Sequence, residues 1–196
     1  MPADVVYIVR HGLTDWNAEA RLQGQAETDL NAIGRAQAAA NGRRLAGLIR
    51  DPALFDFVAS PMRRTRQTAE LIRGAMGLPP QAYRTEPRLI EVHFGDWQGF
   101  TLAELEARRP GCTAERDADK WHFLPPGPGA ESYRMLAARV RPWLEELARP
   151  TVCVTHGGII RSIFHLVENM PAAEAGAMPV PQDRVLEMRG GRLTWL

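Results

Sequence analysis

The sequence predicts an α/β layered domain with a mostly parallel central sheet, and three observations carry that prediction. Short apolar runs rich in β-branched residues, at residues 5–9, 55–59 and 151–155, suit strands buried on both faces. Each run is followed by a segment with helical capping or helical spacing, and alternation of the two element types marks a layered α/β arrangement. The chain is also of ordinary globular composition, with 45% of its 196 residues hydrophobic and 24% charged. One domain is expected over 1–196.

The first strand stops abruptly at Arg10-His11-Gly12. Asn31 is placed to cap an Ala-rich helix that runs through Gln37, Leu45 and Leu48 towards Arg50. After the second strand, Ser60 reads as an N-cap with Pro61 at the first helical position, opening a helix through Met62, Ala69, Leu71 and Ile72 that stops near Gly77. Thr101 and Glu104 have capping-box spacing, and Pro110 ends the short helix they open. Residues 108–130, rich in Pro, Gly and charge, are expected to be a lid or loop insertion over a site. Tyr133, Leu136, Ala137, Val140, Leu144 and Leu147 then recur at spacings of three and four, with Arg134, Arg139, Arg141 and Glu145 turned outward and Pro142 expected to kink the helix. The third strand breaks at His156-Gly157-Gly158 into a helix through Ile159, Ile163 and Leu166. Residues 185–188 and 193–196, separated by Gly190 and Gly191, read as a terminal hairpin.

Composition excludes several function classes. The 24 basic and 23 acidic residues leave a net charge of +1, so no global field draws the protein onto nucleic acid or an anionic membrane. Lys120 is the single lysine among 23 arginines, and no G-x-x-x-x-G-K-[ST] run exists, which excludes a P-loop nucleotide site. Two cysteines cannot build a disulfide framework, and Cys153 lies in an apolar strand where a buried thiol is expected. The opening residues lack a basic stretch followed by a long apolar one, and no apolar run approaches the ~18 residues of a membrane span. A cytoplasmic protein is expected.

Two strands end in clusters of one kind, Arg10-His11-Gly12 and Thr155-His156-Gly157-Gly158. The carboxyl ends of parallel strands share one edge of the sheet, where ligands bind, so both histidines should face one crevice. The strand that ends at Ser60 delivers Arg63, Arg64 and Arg66 to the same edge, with Arg64 left to point inward. Two histidines and at least two arginines describe a site for a dianionic phosphoryl group. Zinc is the rival reading. No helix carries an H-x-x-x-H pair, however, and arginines beside both histidines repel a dication, so neither a metal nor another cofactor is expected.

Arg10-His11-Gly12-x-Thr14-x-x-Asn17 resembles the signature of the histidine phosphatase superfamily, which includes the cofactor-dependent phosphoglycerate mutases. Later blocks resemble that family in the same order: Arg21-Leu22-Gln23-Gly24, Leu30 to Ala38, Ser60 to Ala69, Leu89-x-Glu91 to Gly99, and Thr155-His156-Gly157. Departures at Leu13, Asp29-Leu30-Asn31, Gln98 and Ala130 concern the pocket rim, and hence the substrate.

The resemblance implies a phosphoglycerate mutase-like three-layer sandwich and a set of roles. His11 is the implied nucleophile, attacking phosphorus as a neutral imidazole, and Glu91 the implied acid and base, ahead of His93 and Asp96 and of a plain ion pair with Arg88. Arg10, Arg64 and His156 would surround the phosphoryl oxygens, His156 protonated once phosphate is bound. Asn17, Gln23 and the amides of Gly24 and Gly157 are candidate further donors, and Trp121, His122 and Phe123 either meet the substrate's organic part or pack the loop. The expected partner is a small phosphomonoester, with no nucleic acid or membrane and a homodimer left open. The function expected is phosphomonoester hydrolysis through phosphohistidine, because the compact segment between Glu91 and His156 lacks the longer insertions of the glycolytic mutases. Mutase activity and a non-catalytic phosphate-binding module are the alternatives.

Overall fold

The computed structural model describes residues 4–196; residues 1–3, on which the expectation about the opening stretch in part rests, lie outside the described residues. Four strands, β1 (Val6–Arg10), β2 (Asp56–Ala59), β3 (Arg84–Thr85) and β4 (Thr151–Thr155), pair in parallel, and β5 (Val185–Arg189) and β6 (Arg192–Trp195) add an antiparallel hairpin. They form one sheet in the order β3-β2-β4-β1-β5-β6. The described residues also form eight α-helices, α1 (Asp15–Ala18), α2 (Ala32–Leu48), α3 (Arg63–Ala75), α4 (Leu102–Arg108), α5 (Ala114–Ala118), α6 (Tyr133–Glu145), α7 (Gly157–Glu168) and α8 (Ala172–Ala177).

Strand alternation divides the core in two. Val5, Tyr7 and Val9 join Phe57, Ala59, Val152 and Val154 on one face, covered by Leu45 and Ile49 at the end of α2 and by Ala69 and Ile72 of α3. Val6, Ile8, Val58 and Cys153 point the other way, against Leu136, Val140 and Trp143 of α6 and Ile159 and Ile163 of α7. Helix, sheet and helix therefore make three layers. Register aligns the strand ends: Arg10 pairs with Thr155, and Ala59 with Val154, so β1, β2 and β4 all finish at one edge. The next residue of β1 and of β2 is held there by the ladder, with the amides of His11 and Ser60 donating to the carbonyls of Thr155 and Val154 at 2.9 Å.

Side-chain caps open four of these helices, α1, α2, α4 and α6. The Asn31 side chain accepts the Gly34 amide of α2, and Thr101 and Glu104 make the reciprocal capping box of α4. Ser60 differs from its expectation. α3 begins at Arg63 with Met62 as a cap that makes no side-chain bond, because the Ser60 hydroxyl is engaged elsewhere, with His156. Pro142 falls in the last turn of α6, and the helix runs through it to Glu145. Arg139 also departs from its expected outward position, turning back to the carbonyls of Arg88 and Ile90. Segment 108–130 is more ordered than a plain loop: it holds α5, buries Trp121 against Tyr133 and His165, and packs Phe123 on Trp97. Of that aromatic trio only His122 is exposed, paired with Asp119. No helix among the described residues is long and apolar enough to cross a membrane.

Candidate active site

The shared strand edge brings His11 and His156 together, with ring centroids 5.3 Å apart and both side chains buried. Around His11 the partners select one tautomer. Its Nδ1 is 2.9 Å from the Gly12 carbonyl, which can only accept, so Nδ1 carries the proton. The Arg64 Nε–H meets Nε2 at 3.3 Å, which leaves the lone pair on Nε2. Burial, then Arg64, then Arg10 hold the imidazole well below its ordinary pKa. It is a neutral imidazole with its unprotonated nitrogen turned towards a guanidinium.

Arg64 is wholly buried, and besides His11 it donates to the carbonyls of Ala26 and Gly24 at 2.8 and 2.7 Å. It ties the loop after Gln23 to the site. Gly24 there has φ +51°, and a β-carbon at that position would stand 2.2 Å from Oε1 of Gln98, so a side chain there would be strained and would push the Gln98 amide aside. Arg10 donates to the Val180 carbonyl at 2.7 Å, but its buried Nε has no partner, and neither has the buried Nδ1 of His156. Two unpaired buried nitrogens this close to His11 fit an anion, which both would meet as donors once His156 is protonated. Burial lowers Arg10 and Arg64 to about 10, and burial followed by Arg64, His11 and the other arginines lowers His156 well below an ordinary imidazole. A dianion would reverse those penalties, which are the cost of gathering like charges in a dry pocket.

The remaining sequence candidates fall into groups. Asn17 caps within α1, and its Oδ1 accepts from Gln182 Nε2, which also donates to the His11 carbonyl. Nothing in the sequence pattern points to Gln182. Gln23 is buried and accepts from the Thr28 hydroxyl, and Arg63 and Arg66 are exposed, as solvated helix residues should be. Gly157 opens α7 beside Arg10, where the protein leaves room for a β-carbon at 3.5 Å.

Glu91 does not pair with Arg88, which is taken up by Glu86 and Glu146. Its carboxylate instead lies against the start of α7: Oε2 accepts the Gly158 amide at 3.2 Å, and Oε1 accepts the Val92 amide at 2.9 Å. Its rivals are committed elsewhere, His93 accepting the Gly95 amide and Asp96 exposed. The loop that carries Glu91 is fastened by Arg139, whose guanidinium donates to the carbonyls of Arg88 and Ile90 at 2.8 and 3.0 Å and grips both oxygens of Glu131. Sequence spacing puts Arg139 among outward charges, but the unpaired carbonyls of the 88–91 turn draw it back towards the protein.

The arrangement can present a neutral nucleophile, a ring of cationic donors and a carboxylate to one phosphoryl group. Among the described residues no group of three or more His, Cys, Asp or Glu side chains is placed to hold a metal ion. Such a fold and edge define a phosphoryl-handling α/β protein, and the family is specific: residues 6–195 match the histidine phosphatase superfamily, branch 1, and the chain belongs to it. Its relatives include a glucosyl-3-phosphoglycerate phosphatase of Mycobacterium tuberculosis, 36% identical over 192 residues, with 91% of this chain and 81% of the relative covered. A metal-independent phosphoserine phosphatase of Arabidopsis thaliana is 33% identical over 94% of this chain and 76% of its own length. Among solved structures, mycobacterial glucosyl-3-phosphoglycerate phosphatase complexed with VO3 superposes with a TM-score of 0.79 at 34% identity, covering 99% of this chain and 96% of the other.

Proposed function

We propose that the chain is a phosphomonoester hydrolase acting through a phosphohistidine on His11. The observation that carries this reading is the tautomer of His11, protonated at Nδ1 and open at Nε2, inside a cage of Arg10, Arg64 and His156. Nε2 attacks phosphorus, the ester P–O bond breaks, and the leaving alkoxide takes a proton from Glu91. Arg10, Arg64 and His156, the last taking up a proton from solvent as the dianion binds, stabilise the charge spread over the phosphoryl oxygens. Asn17, Gln23 and the amides of Gly24 and Gly157 complete the cage. In the second half Glu91, now a carboxylate, takes a proton from water as that water attacks phosphorus and the N–P bond breaks, releasing phosphate and neutral His11.

No step needs a metal, because the arginines supply the charge compensation. The names of the two curated relatives, both phosphatases, support hydrolysis over transfer to a second hydroxyl, and so does the compact segment between Glu91 and His156, within which we read residues 108–130 as a lid or loop insertion in one domain. The same reading places the enzyme in a reducing cytoplasm, consistent with two free cysteines, of which Cys153 is buried with its thiol pushed up by burial.

Rapid mixing with a phosphomonoester panel in chelator, followed by alkaline quench, should trap an acid-labile phosphoenzyme in the wild type and none in His11→Ala. An undiminished label in His11→Ala removes His11 as nucleophile. Fast interconversion of 3-phosphoglycerate that depends on 2,3-bisphosphoglycerate shows a mutase instead.

A further inference from the structure

Residues 178–184 join α8 to β5 without regular structure, and alternate positions of this strap reach the residues around the site. The Met178 carbonyl accepts Arg161 Nε at 3.0 Å, the Val180 carbonyl accepts a terminal nitrogen of Arg10 at 2.7 Å, and the Gln182 side chain meets His11 and Asn17. Pro179 and Pro181 fall between them. Each proline fixes its own φ and carries no N–H, so the strap is stiffened and has no donor to satisfy at those positions. Gln182 is buried and held from both ends: the buried Asn41 of α2 donates to its main-chain carbonyl at 3.1 Å, while its side-chain amide donates into the site.

The orientation of Gln182, and of Asn17 beyond it, follows from which partners can only accept and which can only donate. The His11 carbonyl can only accept, so the Gln182 atom 3.0 Å from it is the nitrogen, Nε2. The same Nε2 lies 3.1 Å from Asn17. The backbone N–H of Thr14, which can only donate, lies 3.3 Å from that same Asn17 atom, and the Thr14 hydroxyl lies 3.2 Å from it. The atom is therefore Oδ1, with three donors converging on it. Nδ2 has no protein partner among the described residues and is the atom of the carboxamide free to donate to an anion. Both Thr14 bonds are local to the start of α1. Gln182 alone brings its donor from a distant part of the chain, 165 positions away, and it alone ties the Asn17 carboxamide to the His11 backbone.

We propose that Gln182 is a positioning residue for phosphate binding: its amide bridges the His11 carbonyl and Asn17 Oδ1, and so holds Asn17 with Nδ2 turned to the phosphoryl group. The proposal rests on the anion cage described above, in which Asn17 is one donor; Gln182 itself touches no substrate atom. A donor aimed at an anion is effective when it is held in place before the anion arrives. Without Gln182 the Thr14 bonds persist, but nothing fixes the Asn17 carboxamide relative to the nucleophile's backbone.

Vanadate affinity, measured by calorimetry in Asn17→Ala, Gln182→Met and the double variant, tests this. Methionine keeps the side chain's length and removes its donor. Asn17→Ala should weaken vanadate binding by about tenfold or more, as loss of a donor to a charged group does. Gln182→Met should weaken it by roughly three- to tenfold. The double variant should bind at most about twofold more weakly than Asn17→Ala, because the two residues act as one unit. A dissociation constant reports on folded protein alone, so a purely structural Gln182 would lower the melting temperature and leave the affinity unmoved. Wild-type affinity in Gln182→Met or in Asn17→Ala overturns the proposal, and so does a double variant in which the two losses multiply. If Gln182→Met does not fold, Gln182→Glu at mildly alkaline pH takes its place, keeping the shape with no donor; wild-type affinity there overturns the proposal equally. Hydrolysis is read separately. If no phosphomonoester is turned over, the phosphatase reading fails, and the vanadate affinities still decide the role of Gln182.

Discussion

A β-carbon on Gly158 would stand 2.3 Å from Oε1 of Glu91, while the Gly158 amide donates to Oε2 of the same carboxylate at 3.2 Å. One glycine thus supplies both the space and the hydrogen bond that place the proposed acid against the start of α7. Gly158→Ala must displace the carboxylate, since helix backbone cannot give way as a flexible side chain can. A displacement of the order of 1 Å costs roughly 100-fold in an oriented reaction. We expect kcat for alkyl phosphates to fall by about 10- to 100-fold and for p-nitrophenyl phosphate, whose leaving group needs no proton, by much less. Glu91→Gln should show the same pattern. Equal losses on both substrates in Gly158→Ala would mean that Glu91 is not an acid placed by this contact.

Arg139 acts on the same carboxylate through the chain. By bonding the carbonyls of Arg88 and Ile90 and clamping Glu131, it fixes the turn on which Glu91 is mounted. Arg139→Met should reproduce the leaving-group dependence of Glu91→Gln, with kcat reduced more than KM. Arg139→Lys should rescue little, because one ammonium cannot serve two carbonyls and a bidentate carboxylate. A fall in melting temperature with no change in the alkyl-to-aryl ratio would show that Arg139 only stabilises the fold.

The legibility of this site in the sequence follows the range of the interactions. Strand ends at Arg10, Ser60 and Thr155, and caps at Asn31 and Thr101, are local patterns, so the edge on which His11, His156 and Arg64 meet could be read directly. β3, Arg84–Thr85, is too short to show a period, and α8, Ala172–Ala177, has no apolar stripe to announce it. The contacts of Arg139, Gly158 and Gln182 escape a sequence reading for a different reason. Their partners lie on other elements, and a helix wheel that sorts Arg139 by charge cannot see the carbonyls it will meet. Ser60 shows the same effect in reverse, its capping potential being overridden by a histidine 96 positions away.

Stability should fall as pH drops below the ordinary histidine range. In the unfolded chain His11 and His156 titrate near 6.5, whereas in the folded protein burial and the arginines hold both neutral to much lower pH. Between those limits the unfolded state binds more protons, so each histidine lowers stability by up to about 1.4 kcal/mol per pH unit as pH falls. From pH 7.5 to 5.5 the pair contributes a loss of about 2–3 kcal/mol. Urea denaturation of the wild type and of the His11→Asn/His156→Asn double variant at the two pH values isolates this term. The double variant should lose about that much less, and parallel losses would contradict neutral burial.

Ser60 offers the last test, because its hydroxyl is 2.8 Å from His156 Nε2 and both groups are fully buried. Ser60→Ala leaves that nitrogen without a partner, at a cost of about 1–3 kcal/mol, and releases the ring from the orientation that aims Nδ1 into the cage. If Nδ1 is the atom that meets the phosphoryl group, affinity for vanadate should drop by roughly tenfold, and kcat/KM with it. Ser60→Thr retains the hydroxyl and should recover most of the vanadate affinity unless its methyl group is excluded by the surrounding core. Vanadate binding by Ser60→Ala at wild-type strength would show that the serine does not orient His156, and that the anion is held by Arg10 and Arg64 without it.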